Sequence, residues 1–141
     1  MLGLAAERAA GSITYLVPPE HTAGAREQLG PDAFLAVEQA VVLDEDERRA
    51  REIARPFVAF YTGADNYRRN LLRLGWTEGD LDDGSDRLID GLVAHGGEEA
   101  IAARVRAHFD AGADHVCIQA LPNADPQLEQ LRRLAPALIN L

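Results

Sequence analysis

Length, composition and charge set the outer bounds on this protein. The chain has 141 residues, of which 47% are hydrophobic and 26% are charged, so we expect about one globular domain and exclude a disordered chain. A net charge of −9 repels phosphate backbones and anionic lipids, which argues against nucleic-acid and membrane partners. No apolar run reaches the length of a membrane span and no signal-peptide pattern is present, so the sequence predicts a cytoplasmic protein.

The inventory of reactive side chains is narrow. Cys117 is the only cysteine, which excludes a disulfide or a Cys-rich zinc site within one chain, and its apolar surroundings predict an inert small hydrophobe. All 14 basic residues are Arg, so only the chain terminus offers an amine nucleophile. His95 and His108 lack metal-ligand spacing with other donors, and the sequence therefore predicts no metal site.

The first part of the chain has the pattern of a βα unit that follows a helix. Residues 1–10 have helical spacing, and residues 13–17 form a β-branched and aromatic run that predicts a strand. Pro18 and Pro19 close this strand, because proline cannot continue a central ladder. Residues 23–30 then predict a helix.

A second strand is predicted in the apolar run Phe34–Leu43, which the polar pair Glu38 and Gln39 interrupts. The acidic residues 44–47 open a helix that Pro56 should kink or break.

The next segment mixes short helices with a loop. Residues 66–74 predict a short amphipathic helix, and residues 75–85 predict a Gly- and Asp-rich loop. Residues 85–96 then predict a helix that Ser85 caps.

The most regular stretch lies near the end of the chain. Glu98 and Glu99 favour a helix N-terminus, and Gly112 ends the helix. The following run, His115–Ala120, predicts a strand that is buried on both faces of a parallel sheet. A closing helix should begin at Pro126, behind Asp125 as N-cap, and should kink or end at Pro136.

Strands that alternate with helices indicate right-handed crossovers and a parallel sheet of three strands. Two topologies fit this pattern: an open doubly wound sheet, or an arc of a (β/α)8 barrel, which needs roughly 250 residues when complete. No GxGxxG or GxxxxGK[ST] motif follows a strand, which counts against a nucleotide-binding doubly wound domain.

Several motifs resemble the C-terminal half of luciferase-like flavin- or F420-dependent oxidoreductases. The motifs that carry the resemblance are LGLAAERAAG, SITYLVPPEHTAGAREQLGP, NYRRNLLRLGW, SDRLIDGLVAHG and EEAIAARVRAHFDAGADHV, and together they span nearly the whole chain. The resemblance implies an α/β fold, in which residues 1–141 are one domain that forms the C-terminal portion of a (β/α)8 TIM barrel. It also implies coenzyme F420, with FMN as the alternative, and hydride transfer to or from a small organic substrate.

The chain departs from that family because it lacks an N-terminal half. In full-length members that half supplies the first strands, much of the cofactor pocket and most catalytic residues. We therefore expect a truncated reading frame, a fragment, or one component of a split barrel, which does not retain its cofactor alone. The implied partner is a complementary N-terminal half or a second copy of the chain. The alternative is a non-catalytic half-barrel that acts as an oligomerisation or interaction module.

An open arc of strands should also expose apolar surface. Val37, Val41, Val116 and Ile118 lie in runs that a closed barrel would bury, and we expect them to border an uncovered patch.

Four candidate binding residues lie in or directly after the first two strands. His21 follows a strand and would lie at the mouth where barrels place their chemistry, although a lone loop His is also typical of a surface turn. Tyr15 points either to the barrel axis or into the core. Glu38 or Gln39 would face a ligand, and cross-barrel pairing is the alternative, because a buried polar group needs a partner.

Three further candidates lie on the predicted helix 66–74. Together with the neighbouring Arg68, the residues Asn66, Tyr67 and Arg69 would form a lid whose guanidinium groups pair with an anionic substrate or with the cofactor tail. A solvated helix face is the alternative explanation.

Overall fold

The structure, a computed structural model, describes residues 2–122, 127–139 and 141. Within these residues, strands and helices follow one another as a series of βα units. In chain order the elements are α1 (Leu2–Arg8), β1 (Gly11–Thr14), α2 (Pro19–Leu29), β2 (Phe34–Leu43), α3 (Glu47–Thr62), α4 (Asp65–Arg73), α5 (Glu78–Asp83), α6 (Asp86–Leu92), β3 (Val93–Gly96), α7 (Glu98–Asp110), β4 (His115–Ala120) and α8 (Gln127–Leu138).

The sheet is built around β2, the longest strand. Its first residues pair with β1, its last residues pair with β3, and its middle pairs with β4. All three pairings are parallel, which confirms the predicted α/β fold with an open parallel sheet. The long apolar run of β2 is therefore explained by neighbours along both of its edges.

The two faces of β2 have different neighbours. Val37, Gln39 and Val41 lie on what we call the outer face, where Val37 packs with α2 and Val41 packs with α7 and α8. Ala36, Glu38 and Ala40 lie on the opposite, inner face, since side chains alternate along a strand. Val37 and Val41 are fully buried, so the expectation that they border an uncovered patch is wrong.

The inner face is covered at one end only. At the C-terminal end of the strands, Ala40 and Val42 pack in a cluster with α3, α4, α5 and α6. At the other end, Ile13 is 64% exposed and Phe34 is 54% exposed. Uncovered apolar surface is thus present, but it lies on the inner face.

Several boundaries differ from the sequence-based predictions. β1 ends at Thr14, three residues before the predicted end. The predicted helix 85–96 divides into α6 and the fourth strand β3, because Val93–Gly96 pairs with the end of β2. β4 is half-buried along most of its length, because one of its edges pairs with β2 and the other pairs with no described strand.

Side-chain capping accounts for three helix starts. Ser85 accepts a hydrogen bond from the backbone N–H of Leu88 and caps α6, as predicted. Asp46 accepts a hydrogen bond from the backbone N–H of Arg49 and caps α3, which continues through Pro56 to its end at Thr62. Thr77 and Asp80 form a reciprocal capping box that starts α5, a helix within the segment predicted to be a loop.

α8 includes Pro136 and ends two residues beyond it. The predicted cap Asp125 and first turn Pro126 lie outside the described residues. Among the helices that the structure describes, none is long and apolar enough to cross a membrane.

Candidate functional site

A hydrogen bond crosses the inner face of the sheet near the C-terminal ends of the strands. The Tyr15 hydroxyl, just after β1, donates to Oε1 of Gln119 on β4 at 2.6 Å. Because β2 lies between β1 and β4, the Tyr15 side chain reaches over the strand that carries Glu38. The hydrogen bond between Tyr15 and Gln119 therefore spans the inner face of the sheet over the middle of β2.

Two more tyrosines complete an aromatic cluster around Tyr15. The Tyr61 hydroxyl, on α3, donates to the Tyr15 oxygen at 3.0 Å. The Tyr67 ring, on α4, lies 5.0 Å from the Tyr61 ring and 6.5 Å from the Tyr15 ring, in edge-to-face arrangements. Burial, and next the hydrogen bond with Tyr61, raise the pKa of Tyr15, so its phenol stays protonated at neutral pH.

Glu38 lies beneath this cluster and is 5% exposed. Its Oε2 accepts the backbone N–H of Leu16 at 3.2 Å, whereas its Oε1 is buried and has no hydrogen-bond partner among the described residues. Burial raises the pKa of Glu38 to about 7, and the Leu16 hydrogen bond opposes this rise. The carboxyl group thus changes its proton occupancy near neutral pH, which is what a proton-transfer group requires.

The backbone at Leu16 turns the chain toward Glu38. Leu16 has φ 53°, a left-handed conformation that is uncommon for a residue with a side chain. This conformation ends β1 and directs the Leu16 N–H at the carboxylate, while the Leu16 side chain is buried in the inner cluster. The early end of β1 is therefore part of how Tyr15 and Glu38 are positioned.

A cleft of about 630 Å³ extends along β1 beside the tyrosine cluster. Thr14, His21, Asn66, Tyr67 and Arg73 contribute polar groups to its lining. Two of the buried polar atoms on these side chains, Thr14 Oγ1 and His21 Nδ1, have no hydrogen-bond partner among the described residues.

His21 is neutral at physiological pH. Burial, and next the positive charge of Arg73, lower the pKa of the His21 imidazole. An uncharged ring with an unpartnered nitrogen, close to a guanidinium, would accept or donate one hydrogen bond to a polar ligand in the cleft.

The predicted pair Glu38 and Gln39 divides between the two faces. Gln39 lies on the outer face, where its Oε1 is 2.9 Å from Nε2 of His108 and its Nε2 donates to the carbonyls of Ala40 and Leu92. The His108 Nδ1 is 2.9 Å from Oγ1 of Thr22. This network joins α7, β2 and α2, and it satisfies both ends of the buried Gln39 amide.

The predicted lid residues also divide. Asn66 and Tyr67 line the cleft along β1, together with Tyr15 and His21. Arg69 is on the solvent side of α4, with its side chain 74% exposed and 3.1 Å from Asp65 one turn earlier. The structure therefore brings together Tyr15, His21, Asn66 and Tyr67 along this cleft. Glu38 lies near Tyr15 and Tyr67, whose pKa values its charge raises, but it does not line the cleft.

Three residues that the structure places at the candidate site were not predicted from the sequence. Gln119, Tyr61 and Arg73 join it through contacts between distant segments. Gln119 alone had a visible signal, because it is the polar residue in the middle of an apolar strand.

These features define a class of architecture. A parallel sheet whose outer face is covered by helices, and which has polar and aromatic side chains at the carboxyl ends of its strands, is the arrangement of one part of a (β/α)8 barrel, where chemistry occurs at that end. No protein-family model matches the chain, and no functionally described protein matches it in sequence.

Solved structures match this fold. A coenzyme F420-dependent tetrahydromethanopterin reductase from Methanopyrus kandleri matches 99% of the chain with a TM-score of 0.68 and 17% identity. An F420-dependent secondary alcohol dehydrogenase, solved with an F420-acetone adduct, matches 97% with a TM-score of 0.66 and 16% identity. The chain spans about half of each, 47% and 45% of their lengths. The resemblance to the luciferase-like F420 enzymes is thus confirmed at the level of the fold.

Proposed function

We propose that this chain is the C-terminal part of a coenzyme F420-dependent oxidoreductase, with FMN as the alternative cofactor, and that its substrate is a small organic molecule. The observation that carries the proposal is the fold match with two F420-dependent enzymes over nearly the whole chain. The unpartnered Glu38 carboxyl at the covered end of the inner face supports it, because a buried polar atom without a partner marks a place for a ligand.

The side chains present fit one wall of a cofactor site. The inner face offers apolar surface at Ile13 and half-buried side chains at Cys117 and Gln119, which suit one side of a flat ring. When bound, coenzyme F420 supplies a hydride equivalent to a substrate or accepts one from it. The other walls have to come from a second polypeptide or segment.

In this proposal the residues of the chain transfer a proton, exclude water and bind the substrate. Glu38 holds a proton that it delivers to, or takes from, a substrate oxygen, because its pKa lies close to neutral pH. Tyr15 and Tyr67 keep water from the carboxyl group. Arg73 and the neutral His21 hold a polar group of the substrate in the cleft.

The partner in the proposal is a complementary N-terminal half. The two matched enzymes have a second half that this chain does not cover, and the edges of β1 and β4 that pair with no described strand are where further strands would pair. A second copy of the chain is the alternative occupant of the same surface.

Cofactor binding tests the function directly. We expect the isolated chain to show no saturable binding of coenzyme F420 or FMN below roughly the millimolar range, because one wall cannot bury the ring. The chain purified from its own cells with its second half should bind one of these cofactors with a Kd on the order of micromolar, read by cofactor fluorescence. Micromolar binding by the isolated chain would contradict the proposal that this chain supplies only one wall of the cofactor site. A complex that binds neither cofactor would favour the non-catalytic interaction module.

Sedimentation tests the open face. We expect the isolated chain to dimerise or precipitate at about micromolar concentration, because Ile13 and Phe34 are exposed at the uncovered end of the inner face. Ile13→Lys should shift the chain toward a monomer by placing a charge on the inner face. Leu128→Lys is the matched control, since Leu128 is 58% exposed on α8, which covers the outer face. A stable monomer of the unmodified chain would show that the inner face needs no partner.

A further inference from the structure

A second cleft, of about 370 Å³, lies between the start of α2, the segment before α5, and α7. Its lining includes Trp76, Arg87 and Arg104, together with the two prolines at the start of α2, the N-cap Pro18 and the first helical residue Pro19. The cleft shares Glu20 and Leu74 with the cleft along β1, but none of the tyrosines and neither Glu38 nor His21 lines it. This cleft is therefore distinct from the candidate site described above.

Arg104 is half-buried, and its guanidinium forms no ion pair with a carboxylate of the described residues. Its Nη1 donates to the carbonyl of Gly91 at 3.0 Å and its Nη2 donates to the carbonyl of Asp90 at 2.8 Å, and both carbonyls are uncharged. Among the described residues, no carboxylate oxygen lies within 4.0 Å of it. Burial lowers the pKa of Arg104, and the negative charges of Glu20 and Asp90 oppose this shift.

The Trp76 ring lines the same cleft. Its indole Nε1 is buried and has no partner among the described residues. The ring packs directly on Gly91, where a Cβ atom would lie 2.6 Å from Cζ2, and the Arg87 guanidinium lies 5.8 Å from the ring centroid. The glycine and the cation together hold the indole in place.

The aspartates near the cleft pair with other cationic side chains, so Arg104 carries the main unneutralised positive charge. Asp80 pairs with Arg87 at 3.0 Å, and Asp90 pairs with Arg51 and His95 at 2.8 Å. Glu20 favours the charged form of Arg104 electrostatically, but it lies beyond ion-pair distance. The cleft thus has donors with few competing acceptors.

We infer that this cleft binds a small oxyanion, a single phosphate or carboxylate group, between the Arg104 guanidinium, the Arg87 guanidinium and the Trp76 indole N–H. Guanidinium groups suit planar carboxylates and phosphates because their donors form a fixed fork. An indole N–H only donates, so it selects an acceptor. The site requires no cofactor and no second half, because every lining residue belongs to this chain.

The only tryptophan of the chain reports on this site. Inorganic phosphate or acetate, titrated into the isolated chain at constant ionic strength, should change Trp76 fluorescence saturably with a Kd on the order of millimolar or tighter. Sodium chloride at the same ionic strength should produce no saturable change. Comparing phosphate with acetate decides which anion is preferred. If neither anion causes a saturable change, the inference is wrong.

Variants separate a site from a general charge effect. Arg104→Gln should weaken binding at least about tenfold, since removal of a charged donor costs more than 1.4 kcal/mol. Glu20→Gln should tighten binding, because it removes the negative charge of a carboxylate that lines the cleft and favours the charged form of Arg104. Arg48→Gln is the control: it makes the same change of charge as Arg104→Gln, but at a side chain that is 78% exposed and paired with Glu52.

Folding of each variant is checked by circular dichroism. If Arg104→Gln unfolds the chain, the opposite signs expected for Glu20→Gln and Arg87→Gln still decide the outcome, since Arg87→Gln should weaken binding. Equal effects of Arg48→Gln and Arg87→Gln would show nonspecific screening and would overturn the site.

Discussion

Glu38→Gln should stabilise the protein at about pH 8.5 by on the order of 3 kcal/mol and have almost no effect at about pH 4.5. Burial raises the pKa of Glu38 from 4.5 to about 7. Each pKa unit corresponds to about 1.4 kcal/mol of differential stability. The carboxyl group is 5% exposed, so solvent screens it little.

The direction of the pH effect follows from the raised pKa. The folded protein binds this proton more tightly than the unfolded chain does, so the contribution of Glu38 is fully present below pH 4.5. It is lost as the pH rises through about 7, where the folded protein has to hold a buried carboxylate. Glutamine keeps an acceptor for the Leu16 N–H but carries no charge. The loss of stability as the pH rises through about 7 should therefore disappear in Glu38→Gln.

His108 gives the opposite slope and must be separated from Glu38. Burial, and next the positive charge of Arg104, lower the pKa of His108 from 6.5 to about 4, so its contribution is present above pH 6.5 and is lost as the pH falls through about 4. The two slopes partly cancel in the unmodified protein. The difference between Glu38→Gln and the unmodified protein removes the His108 contribution.

Denaturant unfolding at several pH values measures this difference. Glu27→Gln is the matched control, because Glu27 is exposed on α2 and should change stability by less than about 0.5 kcal/mol at any pH. A stability difference for Glu38→Gln that does not depend on pH would show that the carboxyl group is not the buried titrating group described here.

Local sequence rules predict the elements whose formation depends on residues close in sequence. α7 has acids in its first turn and an apolar stripe, and Gly112, which follows its end, has φ 97°. The middle strand is long and apolar because it has neighbours on both edges. These features depend on residues close in sequence, so they were predictable.

β3 was missed because its pairing depends on a distant segment. Val93–Gly96 continues the helical pattern of α6, yet it pairs with the end of β2 about 50 residues earlier. The start of α5 was visible, since Thr77 and Asp80 have capping-box spacing, but the surrounding glycines favoured a loop.

The site was predictable only in part for the same reason. Period-two alternation requires Glu38 and Gln39 to face opposite sides, but it does not say which one faces inward. That choice depends on which helices cover β2. The bond between Tyr15 and Gln119 joins residues separated by 104 positions, and no local pattern predicts it.

The position of Tyr15 depends in turn on how closely β1 approaches β2. Gly11 pairs with Phe34 at the start of these strands. A Cβ atom at Gly11 would lie 2.0 Å from the Phe34 carbonyl oxygen and 2.8 Å from the Phe34 Cβ. Because the closest atom is backbone, a side-chain rotation cannot relieve the clash.

Gly11→Ala should therefore destabilise the protein by about 2–3 kcal/mol or more, since the two strands have to separate. Gly24→Ala is the matched control: a Cβ at Gly24, inside α2, would meet nothing within 4 Å, and alanine should stabilise the helix by about 0.5–1 kcal/mol. Denaturant unfolding measures both changes.

Hydrogen exchange should show faster exchange in β1 and at Leu16 for Gly11→Ala only, because a displaced β1 weakens the Leu16 hydrogen bond to Glu38. An unchanged free energy of unfolding for Gly11→Ala would mean that β1 pairs with β2 less closely than described, and that Tyr15 does not depend on this contact to reach Gln119.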